Sequence, residues 1–133
     1  MDALPMQLEN QDVVGFLTGL NTVRDGNLVG LSVLPGEFEW DPVIQLTFNV
    51  PQGAHGDHYV LTLRGAVKFE YAFNSHNILD QIAFVKCLWT DDDRFYLSLE
   101  PWKESEPVVS EQDEDCFLAN SARLVVSRSG ATE

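Results

Sequence analysis

Val43-Ile44-Gln45-Leu46-Thr47-Phe48-Asn49-Val50 is followed by Pro51-Gln52-Gly53-Ala54-His55-Gly56-Asp57, and then by His58-Tyr59-Val60-Leu61-Thr62-Leu63. In the first run Ile44, Leu46, Phe48 and Val50 alternate with polar Gln45, Thr47 and Asn49, the pattern of a strand with one buried face and one wet face. The Pro, the two Gly and the Asp between the runs read as a hairpin loop. Tyr59, Leu61 and Leu63 resume the alternation, so the stretch predicts an antiparallel pair.

Working outward, Gly65 marks a bulge or tight bend, beyond which Val67, Phe69, Tyr71 and Phe73 continue with period two. Residues 73–82 carry Asn, Ser, His and Asp, which favour turns and a single helical turn. The run 82–89 is apolar on both faces apart from Lys86 and is the candidate for a central, covered strand. Asp91, Asp92 and Asp93 form a polar turn, after which Phe95, Leu97 and Leu99 alternate until Pro101 stops the strand. Residues 103–115 are charged and irregular, and a last strand ends near Val126. On the N-terminal side Val13, Phe16, Leu17 and Leu20 have helical spacing behind Asp12 as N-cap. Gly15 and Gly19 each oppose that helix by about 1 kcal/mol relative to Ala, so an irregular segment competes with it. Asp25-Gly26 is a turn signal that leads into 28–34. No crossover helix of adequate length separates the strands. The expected fold is therefore mostly β, an antiparallel sheet or small β-sandwich with one short helix. A single domain over 1–133 is expected, with frayed ends at 1–11 and 127–133.

The chain has 21 acidic and 8 basic residues, a net charge of −13. Phosphate neutralisation needs clustered Lys and Arg, so this balance argues against nucleic acid and against an anionic membrane surface as ligands. It favours a basic partner, or serves solubility alone. No stretch approaches the ~20 apolar residues of a membrane span, and the N-terminal residues have no secretory pattern, so the expected compartment is the cytoplasm. Cys87 and Cys116 lie in no C-x-x-C pair and are expected to be free thiols, Cys87 buried and inert in its apolar run.

Residue types that carry chemistry do not converge in the sequence. His55, Asp57 and His58 sit in a Gly-flanked loop, where turn chemistry explains them better than metal ligation. Asp91, Asp92 and Asp93 lack the alternating ligands and Gly of a calcium loop. Phosphate-loop, dinucleotide and nucleophile-elbow motifs are absent, and no catalytic residue, metal or cofactor is assigned. The candidates for partner binding are the carboxylates Asp91, Asp92 and Asp93, the acidic run with Glu111, Asp113, Glu114 and Asp115, and the aromatics Trp40 and Trp102 beside Pro and charged residues.

Leu63-Arg64-Gly65-Ala66-Val67-Lys68-Phe69, Phe73-Asn74 and His76-Asn77-Ile78-Leu79 resemble the strand, bend and Asn-Ile pattern of small uncharacterised bacterial proteins, some of them immunity proteins of polymorphic toxin systems. The resemblance covers residues 13–100 and implies a non-enzymatic protein that neutralises a basic toxin. The alternative is a small-molecule binding domain or enzyme whose site lies in a pocket.

Overall fold

The structure, a computed structural model, describes residues 6–36, 42–70, 82, 84–106 and 108–128. Trp40 and positions 73–81 of the turn expected over 73–82 lie outside the described residues. The elements run β1 (Met6–Glu9), α1 (Gln11–Leu17), β2 (Asn27–Leu34), β3 (Val43–Asn49), β4 (His58–Glu70), β5 (Lys86–Trp89), β6 (Phe95–Glu100) and β7 (Glu114–Ser127). The fold is mostly antiparallel β with one short helix. The sheet order is β2-β3-β4-β7-β6-β5, and β1 adds to β7.

The alternating runs pair as read: Ile44 faces Leu63, Leu46 faces Leu61 and Phe48 faces Tyr59. Their apolar side chains all point inward, and each one fully buried contributes about 1.5–3 kcal/mol. The backbone of β7 organises the sheet, because β4 lies along one of its edges while β6 and β1 share the other. Met6–Glu9, expected to fray, are thereby held against 123–126.

Gly65 is the hinge of the two long strands. Its φ of +63° is left-handed, and a Cβ there would meet the Asn120 side chain at 2.7 Å. The residues of β7 in the core change from Phe117 and Ala119 to Ala122, Leu124 and Val126, so the inward phase switches beside Gly65. An extra β4 residue between Ala66 and Lys68 then shifts the register, the bulge signalled by the glycine.

The sheet coils strongly. β2 and β5 are its two ends, yet Ile82, just before β5, donates its N–H to Gly26 O and accepts from Asp25 N–H, each at 2.7 Å, just before β2. Inner-face side chains from β2 through β7 consequently form one cluster, which α1 covers with Val13 and Leu17. This is the curvature that closes a sheet toward a barrel.

Three expectations are corrected. The run 82–89 is not a central strand: β5 spans four residues at the end of the sheet order and, among the described residues, pairs only with β6. The strand covered on both faces is β6, where Phe95, Tyr96, Leu97, Ser98 and Leu99 are all buried. Its outer face carries Tyr96 and Ser98 because the cover is a polar connection, residues 101–113, rather than a second sheet. The helix begins after Asn10 rather than Asp12, and no side chain caps it. Asn10 instead holds β7, its N–H donating to Ala122 O at 2.8 Å and its Oδ1 accepting from Ala122 N–H at 3.0 Å. The Thr18 hydroxyl donates to Val14 O at 2.8 Å as the helix ends, and Leu20, expected on its apolar face, is 99% exposed.

Candidate functional site

The β5–β6 turn is built from hydrogen bonds around Thr90. Thr90 N–H donates to Arg94 O at 2.7 Å, Asp93 N–H donates to Thr90 O at 3.0 Å, and Arg94 N–H donates to Thr90 Oγ1 at 3.0 Å. Asp93 takes the left-handed position with φ 70°, which Asp tolerates because its short polar side chain bonds locally. Asp91, Asp92 and Asp93 are all exposed, as the sequence implied. The Thr90 hydroxyl, chiefly, with Arg94 adding to it, holds the Asp92 carboxyl below its ordinary range.

Beside this turn lies a cleft of about 480 Å³ whose lining includes Glu9, Asp12, Asp93, Trp89 and Asn120. Trp89 packs against the core, and its indole N–H donates to Asp93 Oδ1 at 2.7 Å. The site thus joins the end of β1, the start of α1, the β5–β6 turn and the bend of β7. Glu9, Asp12 and Asp93 line it with three carboxylates, and exposed Asp91 and Asp92 adjoin it on the turn. Two guanidiniums are near them, exposed Arg123 on Glu9 and half-buried Arg94 on Asp92, each at 3.3 Å. Among the described residues Glu9 alone of the three lining carboxylates has a guanidinium partner, so Asp12 and Asp93 leave an excess of negative charge at an aromatic face, a setting suited to a cation.

The second acidic run does not join this surface. Glu100 faces Glu114 across the β6–β7 pairing, so Glu111 and Glu114 lie at the far end of β6 from Asp91, Asp92 and Asp93. Six residues of strand put about 20 Å between the two groups. Glu111 and Glu114 are exposed, whereas Asp113 and Asp115 are buried and are corrected as surface contacts. Burial, with Asp115 and Glu114 nearby, pushes the Glu100 carboxyl up.

Asp113 is withdrawn from the surface by its donors. Its carboxylate accepts from Lys86 Nζ at 3.0 Å, Tyr96 OH at 2.7 Å, Trp102 N–H at 2.8 Å and Ser110 N–H at 3.1 Å. Lys86 Nζ also donates to Val108 O at 2.9 Å. Burial alone raises the Asp113 carboxyl, but the hydrogen bonds from Tyr96, Trp102, Lys86 and Ser110 outweigh it and hold the group below its ordinary range. One carboxylate therefore fastens the 101–113 connection over β5 and β6. Trp102 stands on that connection with its side chain largely exposed.

The remaining sequence candidates are placed as follows. His55 is exposed in the β3–β4 loop with its ring 6.0 Å from that of Phe16, and Asp57 O closes the hairpin by accepting from Val50 N–H at 2.7 Å. Among the described residues no group of three or more His, Cys, Asp or Glu is arranged to hold a metal ion. Cys87 and Cys116 form no disulfide and are buried, and burial pushes the Cys87 thiol far above its ordinary range. Among the described residues no helix is long and apolar enough to cross a membrane.

Glu9, Asp12, Trp89 and Asn120 are members of the cleft that sequence reasoning did not assign to it. Their positions span residues 9 to 120 and meet only because β1 adds to the far edge of β7, and no local pattern signals that pairing. No protein-family model, curated protein or solved structure matches this chain.

Proposed function

We propose that this chain is a non-enzymatic acidic binding protein for a basic protein partner, with the cleft at the β5–β6 turn receiving a Lys or Arg side chain. The observation that carries the reading is the excess of carboxylates over guanidiniums around Trp89. A basic partner relieves the self-repulsion of these like charges, and the surrounding field speeds its approach. The biological setting that fits best is an immunity protein neutralising a cationic toxin, in line with the resemblance of residues 63–79. Cytoplasmic residence belongs to the same proposal and accords with two cysteines not joined in a disulfide, a state that a reducing compartment maintains.

The Trp89 indole N–H, already bonded to Asp93, is a reporter inside the cleft. Its proton resonance should shift saturably when a short arginine-containing peptide is titrated and should not shift with the citrulline peptide of the same shape. Replacing Asp91, Asp92 and Asp93 with Asn should weaken the response without unfolding the chain, because all three are exposed turn residues. Added salt should weaken it too, since the Debye length shortens to about 10 Å at 0.1 M. Equal responses to arginine and citrulline would reduce the charge to a solubility device.

A further inference from the structure

A second cavity, of about 430 Å³, lies between the end of α1 and β5. Its walls include Leu17 and Cys87, both buried, and the polar side chains of Thr18, Thr22, Arg24 and Glu104. That volume is within the range of small-molecule sites, roughly 300–1,000 Å³, and the mixture of apolar wall and few polar groups is typical of them. The occupant of its polar end is already present. One carboxylate oxygen of Glu104 is paired with Arg24 Nη2, while the other accepts from the Val85 backbone N–H at 2.8 Å.

We propose that this cavity is a binding site for a small monocarboxylate with a short apolar tail, in which Glu104 acts as an internal stand-in for the ligand. The inference is independent of the acidic cleft and concerns ligands of the opposite charge. A guanidinium and a backbone N–H converging on one carboxylate are the parts of a carboxylate-recognition site. The Val85 N–H and the Arg24 backbone are placed without Glu104. Arg24 is held through its own backbone, its N–H donating to Thr22 Oγ1 at 3.2 Å and its C=O accepting from Gln52 Nε2 at 2.6 Å. Its guanidinium also lies 6.0 Å from the Phe84 ring centre. Val85 immediately precedes β5, whose position is set by its pairing with β6.

Glu104 itself can leave. It sits on the 101–113 connection, which Asp113 fastens at Trp102 and Ser110 on either side of it, so the side chain can swing out while the backbone stays docked. The Glu104 side chain is 27% exposed and has water to enter. An incoming carboxylate takes over both contacts and extends its tail toward Leu17 and Cys87. A tethered side chain competes at an effective concentration of order millimolar, so the site is weak in the wild type and gains affinity, about tenfold or more, when the tether is cut.

Butyrate is the probe, with butyramide as its neutral counterpart at matched ionic strength. Titration of Glu104→Ala followed by the Val85 amide resonance should give a saturable shift with butyrate and none with butyramide, and wild type should need about tenfold more butyrate. Adding Arg24→Gln to Glu104→Ala should abolish the response. If Glu104→Ala does not fold, Glu104→Gln, which keeps an acceptor for Val85 and loses the ion pair, should bind butyrate more tightly than wild type. Indistinguishable responses to butyrate and butyramide, or butyrate binding that survives Arg24→Gln, would overturn the proposal. The result is separable from the cleft, whose reporter is Trp89.

Discussion

Replacing Asp113 with Asn keeps the shape of the side chain and removes its charge, so it tests whether one buried carboxylate fastens the 101–113 connection. In the folded chain Lys86 and Asp113 side chains are 3% and 0% exposed, and three further donors, Tyr96 OH and the N–H groups of Trp102 and Ser110, point at the same carboxylate. Asn offers one carbonyl oxygen where the carboxylate offered two, and it turns an amide N–H toward these donors. Lys86 then keeps Val108 O and at most the one Asn oxygen as neutral acceptors and loses its anionic partner. Breaking a buried pair by removing one partner costs about 3–5 kcal/mol, because the remaining charge is left uncompensated. Against the roughly 5–15 kcal/mol that stabilises a domain, that is a large share. Urea denaturation at pH 7 should show a lower midpoint with little change in slope.

The pH dependence supplies a second readout with a definite sign. The folded Asp113 carboxyl lies below its ordinary value, so its contribution is complete above the unfolded value, about 3.9, and is lost as pH falls toward the folded value. The gap between wild type and Asp113→Asn should therefore narrow on acidification through that window. Changing Lys86 to Met in the Asp113→Asn background should recover part of the loss, since the stranded ammonium is then gone. A loss below about 1 kcal/mol at pH 7, within the range of ordinary surface substitutions and single neutral hydrogen bonds, would refute the clamp.

Gly65→Ala should destabilise by about 1–3 kcal/mol in thermal or urea unfolding, because the left-handed backbone and the nearby Asn120 side chain both oppose a Cβ. Cys87 and Cys116 should react with a thiol reagent only slowly until denaturant is added, both being buried and the Cys87 thiol raised by that burial; rapid labelling of the folded chain would contradict this. Glu100→Gln should raise the melting temperature at pH 7 and do so less at pH 4. A carboxyl whose folded value is raised contributes stability below its unfolded value, about 4.3, and loses it as pH rises through the folded one. An unchanged melting temperature at pH 7 would remove the Glu100, Glu114 and Asp115 repulsion from the account.

The parts of the fold legible in the sequence are those decided by neighbours along the chain. Period-two alternation located β3, β4 and β6, since each has an inner face whose residues are apolar whatever lies opposite, and Gly65 disclosed its bend because a left-handed backbone leaves few other choices. Burial on the second face of β6 was not legible, because its cover is an irregular, charged connection that looks in sequence like solvated loop. Lys86 and Asp113 illustrate the reason. Lys86 reads as the polar interruption of an apolar run, and Asp113 as one member of an acidic tract, yet the two lie 27 positions apart and each is buried only because the other is. The same pairing divides the acidic tract. With Asp113 and Asp115 turned inward, the exposed negative charge of that region shrinks to Glu111 and Glu114. At the β5–β6 turn the fold does the opposite, bringing Glu9 and Asp12 from the N-terminal elements to exposed Asp93, next to Asp91 and Asp92 on the same turn. A net charge counted along the chain thus becomes uneven over the folded surface. That redistribution, rather than the count of −13, is what the proposed cation site at the Trp89 cleft rests on.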